Sequence, residues 1–135
     1  MKYSVEFDRL LRYDIGKIGI SVNVQLKLAD TAVSLDAKVD SGASFCIFSK
    51  EAAEDLGLDV KEGDLKIFTT ATGTFQAFGH WVTLIVDEFE FDSQVFFHKT
   101  VGSYPNVLGR QGWLDRVIIG INDYEGKLYL KQHES

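Results

Sequence analysis

One aspartate stands out because of the residues around it. Asp40 follows a largely apolar, strand-like segment (37–39). It is followed by Ser-Gly-Ala-Ser, after which apolar residues resume at Phe45. A carboxylate enclosed by apolar sequence needs hydrogen-bond partners. Gly42 allows another backbone to approach closely, and the hydroxyls of Ser41 and Ser44 are able to hold the loop and its carboxyl group. We therefore expect a buried loop that presents Asp40 for acid–base chemistry.

The Asp-Ser-Gly sequence is a weak signal when taken alone, because it also occurs in ordinary turns. The other Asp-Ser or Asp-Thr sequences begin at Asp92 and at Asp30, and neither has glycine in the third place. We interpret both as surface turns. The chain thus offers one loop of this kind.

Three elements in order resemble the retropepsin-like aspartic proteases, and especially their bacterial, non-viral branch. Asp40–Ala43 matches the Asp-Thr/Ser-Gly-Ala signature, and Asn106–Arg110 resembles the apolar-Gly-Arg segment that lies behind the catalytic loop. Between them, a glycine turn at Thr72-Gly73 stands where the family has its flap, and the continuation Gly109–Arg116 resembles the bacterial members. The resemblance covers roughly Ile18–Leu130 and implies a closed all-β barrel with a flap hairpin and one or two short helices.

The resemblance assigns roles to individual positions. Asp40 is implied as the catalytic residue, and the other implied residues fall into three groups. They are Ser41, Gly42, Ala43 and Ser44 as support within the catalytic loop; Thr70, Ala71, Thr72, Gly73 and Thr74 as the flap and substrate-binding hairpin; and Leu108, Gly109 and Arg110 as structural support behind the loop.

Arg110 is a departure from the viral pattern. Retroviral members usually carry an acid where this chain has Ser44, and that acid pairs with the arginine. Arg110 must therefore use backbone carbonyl groups, Asp115 or an acid of a partner chain.

Aspartic proteolysis uses two carboxyl groups that share one proton, one as general base and one as general acid. Because this chain supplies one such loop, the resemblance implies a homodimer with Asp40 from each subunit and a peptide or protein substrate bound by strand addition. The alternative is a catalytically silent module of the same fold that binds peptide or mediates dimerisation. A third possibility is an unrelated β-barrel with a chance turn, in which Asp40 lies on an exposed loop.

Hydrophobic periodicity predicts a mostly β chain in one domain, residues 1–135. Apolar residues alternate strictly from Ile18 to Leu28 and resume at 33–39, which predicts a hairpin. Ser49 and Gly57 bound a short helix, and Gln111–Arg116 suits another. The remaining predicted strands are 65–71, 74–86, 88–98, 117–121 and 127–130.

Composition limits the class of protein. The 135 residues are 45% hydrophobic with a net charge of −6 and scattered basic residues, so we expect a folded domain that does not bind nucleic acid. Glu6 and Asp8 stand where a signal peptide would be apolar, and no segment has the length of a membrane span. Cys46 is the only cysteine, which excludes an internal disulfide. We expect a cytoplasmic protein without membrane contact.

The remaining reactive or aromatic residues favour structural roles. Cys46 with His80 or His98 could form a nucleophile–base pair, but its apolar setting favours a buried thiol. The three histidines lack metal-ligand spacing, so we expect no metal and no cofactor. Trp81 and the phenylalanines could line specificity pockets, but large aromatic residues on alternating strands favour core packing, and Trp113 is predicted to pack inward or at a dimer contact.

Overall fold

Two successive strands form the long hairpin that the alternating pattern predicted. In the computed structural model, which describes residues 1–134, Val24 pairs with Leu35 across this hairpin. Val22, Val24 and Leu26 on the inner face are at most 6% exposed, as the period of two requires. The strands are β1 (Arg9–Arg12), β2 (Ser21–Leu28), β3 (Thr31–Val39), β4 (Ile47–Phe48), β5 (Asp64–Thr70), β6 (Gly73–Val86), β7 (Phe89–His98), β8 (Val107–Leu108), β9 (Val117–Asn122) and β10 (Lys127–Gln132). Ser135, the last residue of the predicted domain, lies outside the described residues.

Seven strands form one sheet in the order β2-β3-β8-β4-β7-β6-β5. Strand β2 also pairs with β6, where Leu26 lies opposite Leu84. This pairing closes the sheet into a ring, and Leu26, Leu84 and Phe97 are fully buried inside it. The predicted all-β closed barrel is confirmed.

A second sheet joins the two ends of the described chain in the order β1-β10-β9. Leu11 of β1 lies opposite Leu128 of β10, and Leu128 and Leu130 are fully buried. The predicted hairpin of β9 and β10 is confirmed, whereas β1 was not predicted. Ile18, which the sequence placed in a strand, is 96% exposed, and β2 begins only at Ser21.

Short helices occur near the predicted positions. Helix α1 (Lys50–Asp55) has Ser49 as its N-cap, whose hydroxyl accepts a 3.2 Å hydrogen bond from the Ala52 amide. The predicted helix 111–116 is reduced to a 3₁₀ turn, Leu114–Arg116, because Gly112 has a φ of +105° and so cannot start a right-handed helix. A further 3₁₀ turn covers Val60–Glu62. None of the helices within residues 1–134 has the length and apolar character that crossing a bilayer needs.

Two predictions about single segments are wrong. Asp92, Ser93 and Gln94 do not form a surface turn but lie within β7, and the buried Ser93 hydroxyl donates to the Gly112 carbonyl oxygen at 2.7 Å. Trp81 is 64% exposed, because its neighbour Val82 points into the barrel and successive side chains of a strand alternate between faces. Trp113, by contrast, is fully buried and packs inward.

Strand β8 lies between β3 and β4 and thereby holds both ends of the Asp40 loop. It runs parallel to β3, with Val39 beside Leu108, and antiparallel to β4. The side chain of Asn106, just before β8, accepts from the Ser49 amide at 3.0 Å and donates to the Asp36 carbonyl oxygen at 3.1 Å. Both chain segments that flank the loop are therefore fastened to one short strand.

Candidate active site

Asp40 lies at the end of β3, in a turn whose bonds are mostly backbone bonds. Its amide donates to the Leu108 carbonyl oxygen at 3.0 Å, and its own carbonyl oxygen accepts from the Ala43 amide at 3.1 Å. The carboxyl oxygen Oδ1 accepts from the Gly42 amide at 2.9 Å. The local turn thus fixes the orientation of the carboxyl group, and β8 fixes the position of the turn.

The loop is less buried than the sequence suggested. Asp40 is half-buried, whereas Ser41, Gly42 and Ser44 are exposed. Neither serine hydroxyl has a hydrogen-bond partner within residues 1–134, so the expected side-chain support by Ser41 and Ser44 is not present in the single chain. The apolar flanks pack into the barrel while the loop itself emerges at its surface, which is why apolar sequence on both sides did not imply a buried loop.

Gly109 allows the loop and the segment behind it to touch. A β-carbon at this position would collide with the Phe45 carbonyl oxygen and lie 2.8 Å from that of Ala43. The next two amides, of Arg110 and Gln111, donate to the carbonyl oxygens of Ala43 and Ser44, each at 2.9 Å. Leu108 is fully buried beneath this contact.

Cys46 is a structural thiol. It is fully buried, and its sulfur accepts a hydrogen bond from the Gly109 amide at 3.4 Å. Burial, which disfavours the thiolate, raises the pKa of Cys46 to about 12 despite the opposing hydrogen bond from Gly109. A nucleophile needs a thiolate, so the cysteine–histidine alternative is not supported.

Arg110 is exposed and its guanidinium forms no ion pair or hydrogen bond with any residue that the structure describes. Asp115, one of its predicted partners, instead accepts from the Gly112 amide at 3.0 Å and lies 3.8 Å from Nε of Arg116. Pairing of Arg110 with Asp115 or with backbone carbonyl groups is therefore not found. Of the three partners predicted for Arg110, the one that remains is an acid from another chain.

The hairpin of β5 and β6 ends in a tight turn at the residues predicted from the sequence. Thr70 pairs with Gly73, and the Thr70 hydroxyl donates to the Gly73 carbonyl oxygen at 3.0 Å. Gly73 has a φ of +140°, a conformation that residues with a side chain rarely adopt. Ala71, Thr72 and Thr74 complete this tip, and all five residues are exposed.

A groove of about 600 Å³ brings the loop and the hairpin together. Residues at the ends of other strands in the same sheet complete the lining of the groove. Of the residues predicted from the sequence, those that line it are Asp40, Gly42, Ala43, Ser44, Thr70 and Thr72; those that do not are Ser41, Ala71, Gly73, Thr74, Leu108, Gly109 and Arg110.

Across the part of the chain that the structure describes, no three His, Cys, Asp or Glu side chains gather as metal ligands.

A row of aromatic rings forms one wall of this groove and was missed by the sequence analysis. Phe68 stacks on Phe75 at 5.0 Å, Phe75 lies 4.7 Å from His98, and His98 stacks on Tyr104 at 4.0 Å between ring centres. At the other end, Phe45 beside the Asp40 loop meets Phe68 edge-on at 5.9 Å. These phenylalanines are half-buried and line the groove instead of filling the core. Phe68 and Phe75 pair across the β5–β6 hairpin, whereas Phe45, His98 and Tyr104 come from other segments that no local pattern in the sequence links to it.

Known proteins resemble this chain in family and in fold. The family model described as aspartyl protease matches residues 24–122, a span that contains the Asp40 loop, the hairpin and β8. The crystal structure of a retropepsin-like aspartic protease from Rickettsia conorii is similar with a TM-score of 0.65 and 22% identity, over 96% of this chain and 95% of that chain. EIAV protease, complexed with the inhibitor HBY-793, is similar with a TM-score of 0.56 and 16% identity, over 74% of this chain and 88% of that one. A search of curated proteins finds no match. The retropepsin-like fold is confirmed, and a chance turn on an unrelated barrel is ruled out.

Proposed function

This chain belongs to the aspartyl protease family, and we propose that it is an aspartic endopeptidase active as a homodimer. The observation that carries the proposal is the groove that Asp40 shares with the tip of the β5–β6 hairpin. A peptide lying in that groove has a carboxyl group on one side and a hairpin on the other. The carboxyl group serves peptide hydrolysis, and the hairpin serves peptide binding.

The chemistry needs a second carboxyl group. Two carboxyl groups about 3 Å apart hold one proton between them, because like charges at that distance do not both ionise. The ionised group removes a proton from a water molecule, which attacks the scissile carbonyl carbon, while the protonated group donates to the carbonyl oxygen. When the tetrahedral intermediate collapses, the amine takes up the proton that the base removed from water, the C–N bond breaks, and the other carboxylate regains its proton from the gem-diol.

A second copy of the chain is the proposed source of that group. Asp30 and Asp92 head the other candidate sequences, and Asp92 lies within β7. A two-fold axis between two Asp40 loops gives an isologous dimer. The exposure of Ser41, Ser44 and Arg110 supports this arrangement, because their polar groups are free to bind a second subunit. Arg110 would pair with an acid of that subunit.

Substrate is proposed to bind by strand addition. An extended peptide would form main-chain hydrogen bonds with the hairpin tip, residues 70–74, which acts as a flap. Gly42 leaves room beside Asp40 for the peptide backbone, and alternate side chains of the peptide enter the aromatic wall. Leu108 and Gly109 support the loop from behind.

We further propose that residues 1–135 form one domain and that the enzyme acts in the cytoplasm on peptides or proteins. The single buried thiol of Cys46 is compatible with a reducing compartment. The net charge of −6 disfavours binding to nucleic acid.

Incubation with a varied peptide mixture from mildly acidic to neutral pH tests the function. We expect cleavage that pepstatin-type transition-state mimics suppress and that Asp40→Asn abolishes without changing the fold or the dimer. Absence of cleavage under every condition, or equal cleavage by Asp40→Asn, would overturn the proposal. Absence of cleavage with retained peptide binding would favour the silent binding module.

A further inference from the structure

His98 is an unusual member of the aromatic wall. It ends β7 and is 6% exposed, and its ring stacks on Tyr104 at 4.0 Å and lies 4.7 Å from Phe75 between ring centres. Among the buried residues that line the groove, His98 is the one with a polar side chain. Its ring fits the apolar wall in shape but adds two hydrogen-bonding nitrogens to it.

Neither ring nitrogen of His98 has a hydrogen-bond partner within residues 1–134. The one side-chain polar atom in this part of the chain that is both sealed from solvent and unpaired is Trp113 Nε1, so the nitrogens of His98 keep contact with open space. His98 lines the groove, so a molecule bound there can supply a partner for these nitrogens. His80 behaves differently, since its Nε2 lies 2.8 Å from the Val60 carbonyl oxygen and is already engaged.

The surroundings of His98 favour the neutral form of its imidazole. Burial lowers the pKa of His98, and Glu51 opposes this only in part. A neutral imidazole has one donor and one acceptor nitrogen. Buried polar groups in proteins nearly always have a partner. A bound molecule that offers a matching group therefore gains a hydrogen bond at a wall that is otherwise aromatic.

We propose that His98 is a specificity-determining residue that selects a substrate side chain with a hydrogen-bonding group at the end of an aromatic or long apolar stem. The inference rests on the proposed function and names its substrate class. Tyrosine is the matched probe, because its ring packs on Phe75 and Tyr104 as phenylalanine would, while its hydroxyl reaches the imidazole. Sites that hydrogen-bond a substrate hydroxyl discriminate strongly against the analogue that lacks it.

The test uses peptide pairs that differ only by Tyr or Phe, placed in turn at each position flanking the cleaved bond. Binding is measured on the Asp40→Asn protein and kcat/KM on the active protein. We expect about a tenfold preference for Tyr at one position, reduced to less than about twofold in His98→Phe and largely kept in His98→Gln. His133→Phe, which changes an exposed histidine just after β10, is the matched control and should keep the full preference.

A measurement on the unaltered histidine complements the variants. The ¹⁵N chemical shifts of the His98 imidazole should move further when the Tyr peptide binds than when the Phe peptide binds, because only the tyrosine hydroxyl forms a hydrogen bond with a ring nitrogen. Cleavage without a Tyr preference, or an equal preference in folded His98→Phe, overturns the inference and leaves the protease function intact. A Tyr preference in binding without any cleavage supports the inference and overturns the function. Failure of every peptide to bind and to be cleaved overturns both.

Discussion

The α-carbon of Gly109 lies so close to the carbonyl oxygen of Phe45 that the pair leaves no room for a side chain. Phe45 directly follows the Asp40 loop, and Gly109 directly follows β8, to which the Asp40 amide is bonded. The contact therefore sets the depth at which the loop lies on the strand behind it.

Gly109→Ala should destabilise the protein by about 3 kcal/mol, because the added methyl group meets two backbone carbonyl oxygens and the loop must shift. Urea unfolding measures the change. The control is Gly16→Ala, at an exposed glycine whose nearest obstacle is the Asp14 carboxylate at 3.2 Å, where we expect less than about 0.5 kcal/mol. Equal stability of the two variants would contradict the close contact.

Cys46 should resist alkylation in the folded protein and react once the chain unfolds. Its pKa is raised from 9.0 to about 12, so the folded protein carries no thiolate at about pH 8. Iodoacetamide labelling followed by mass spectrometry, with and without urea, measures this. Rapid labelling of the native protein would show that the thiol is accessible.

The same shift predicts how Cys46 affects stability at alkaline pH. Above pH 9 the unfolded chain loses the thiol proton while the folded chain keeps it, so the contribution of Cys46 to stability falls as pH rises from about 9 towards 12. The difference in unfolding free energy between the wild type and Cys46→Ala should therefore shrink over that range. A constant difference would contradict the raised pKa.

His98 should make the protein less stable in acid. Its pKa is lowered by burial, so below the ordinary value of 6.5 the unfolded chain binds a proton that the folded chain does not, and stability falls as pH falls. His98→Phe, which keeps a ring in the stack, should reduce this loss between neutral and mildly acidic pH, as measured by urea unfolding. His133→Phe is the control, and an acid dependence equal in both variants would contradict the prediction.

Much of the fold could be predicted because its signals are local. The alternation that ends in Leu26 and Leu28 is a property of successive residues, and Ser49 and Gly57 mark the ends of α1 by their own chemistry. Strand β1 was not predicted because Leu10 and Leu11 are adjacent and do not alternate. Its pairing also depends on β10, at the other end of the described chain.

The wall of the groove could not be predicted in the same way. Phe68 and Phe75 face each other across the predicted β5–β6 hairpin, but Phe45 and Tyr104 come from other segments, and their rings join the wall only in the folded chain. The phenylalanines were expected in the core because large aromatic residues on alternating strands usually pack there. Trp81 could have been placed correctly, since its parity along β6 is opposite to that of Val82, Leu84 and Val86.

The proposal that each active site takes one Asp40 from each of two subunits is tested most directly by mixing wild-type subunits with Asp40→Asn subunits at equal amounts and constant total protein. Sedimentation across a concentration series first identifies conditions in which dimers form, and subunits are then allowed to exchange before peptide cleavage is measured. Because only wild-type pairs hold two carboxyl groups, activity should fall to about a quarter of that of the wild type alone. A fall to one half, as expected when each chain acts independently, would contradict the shared site.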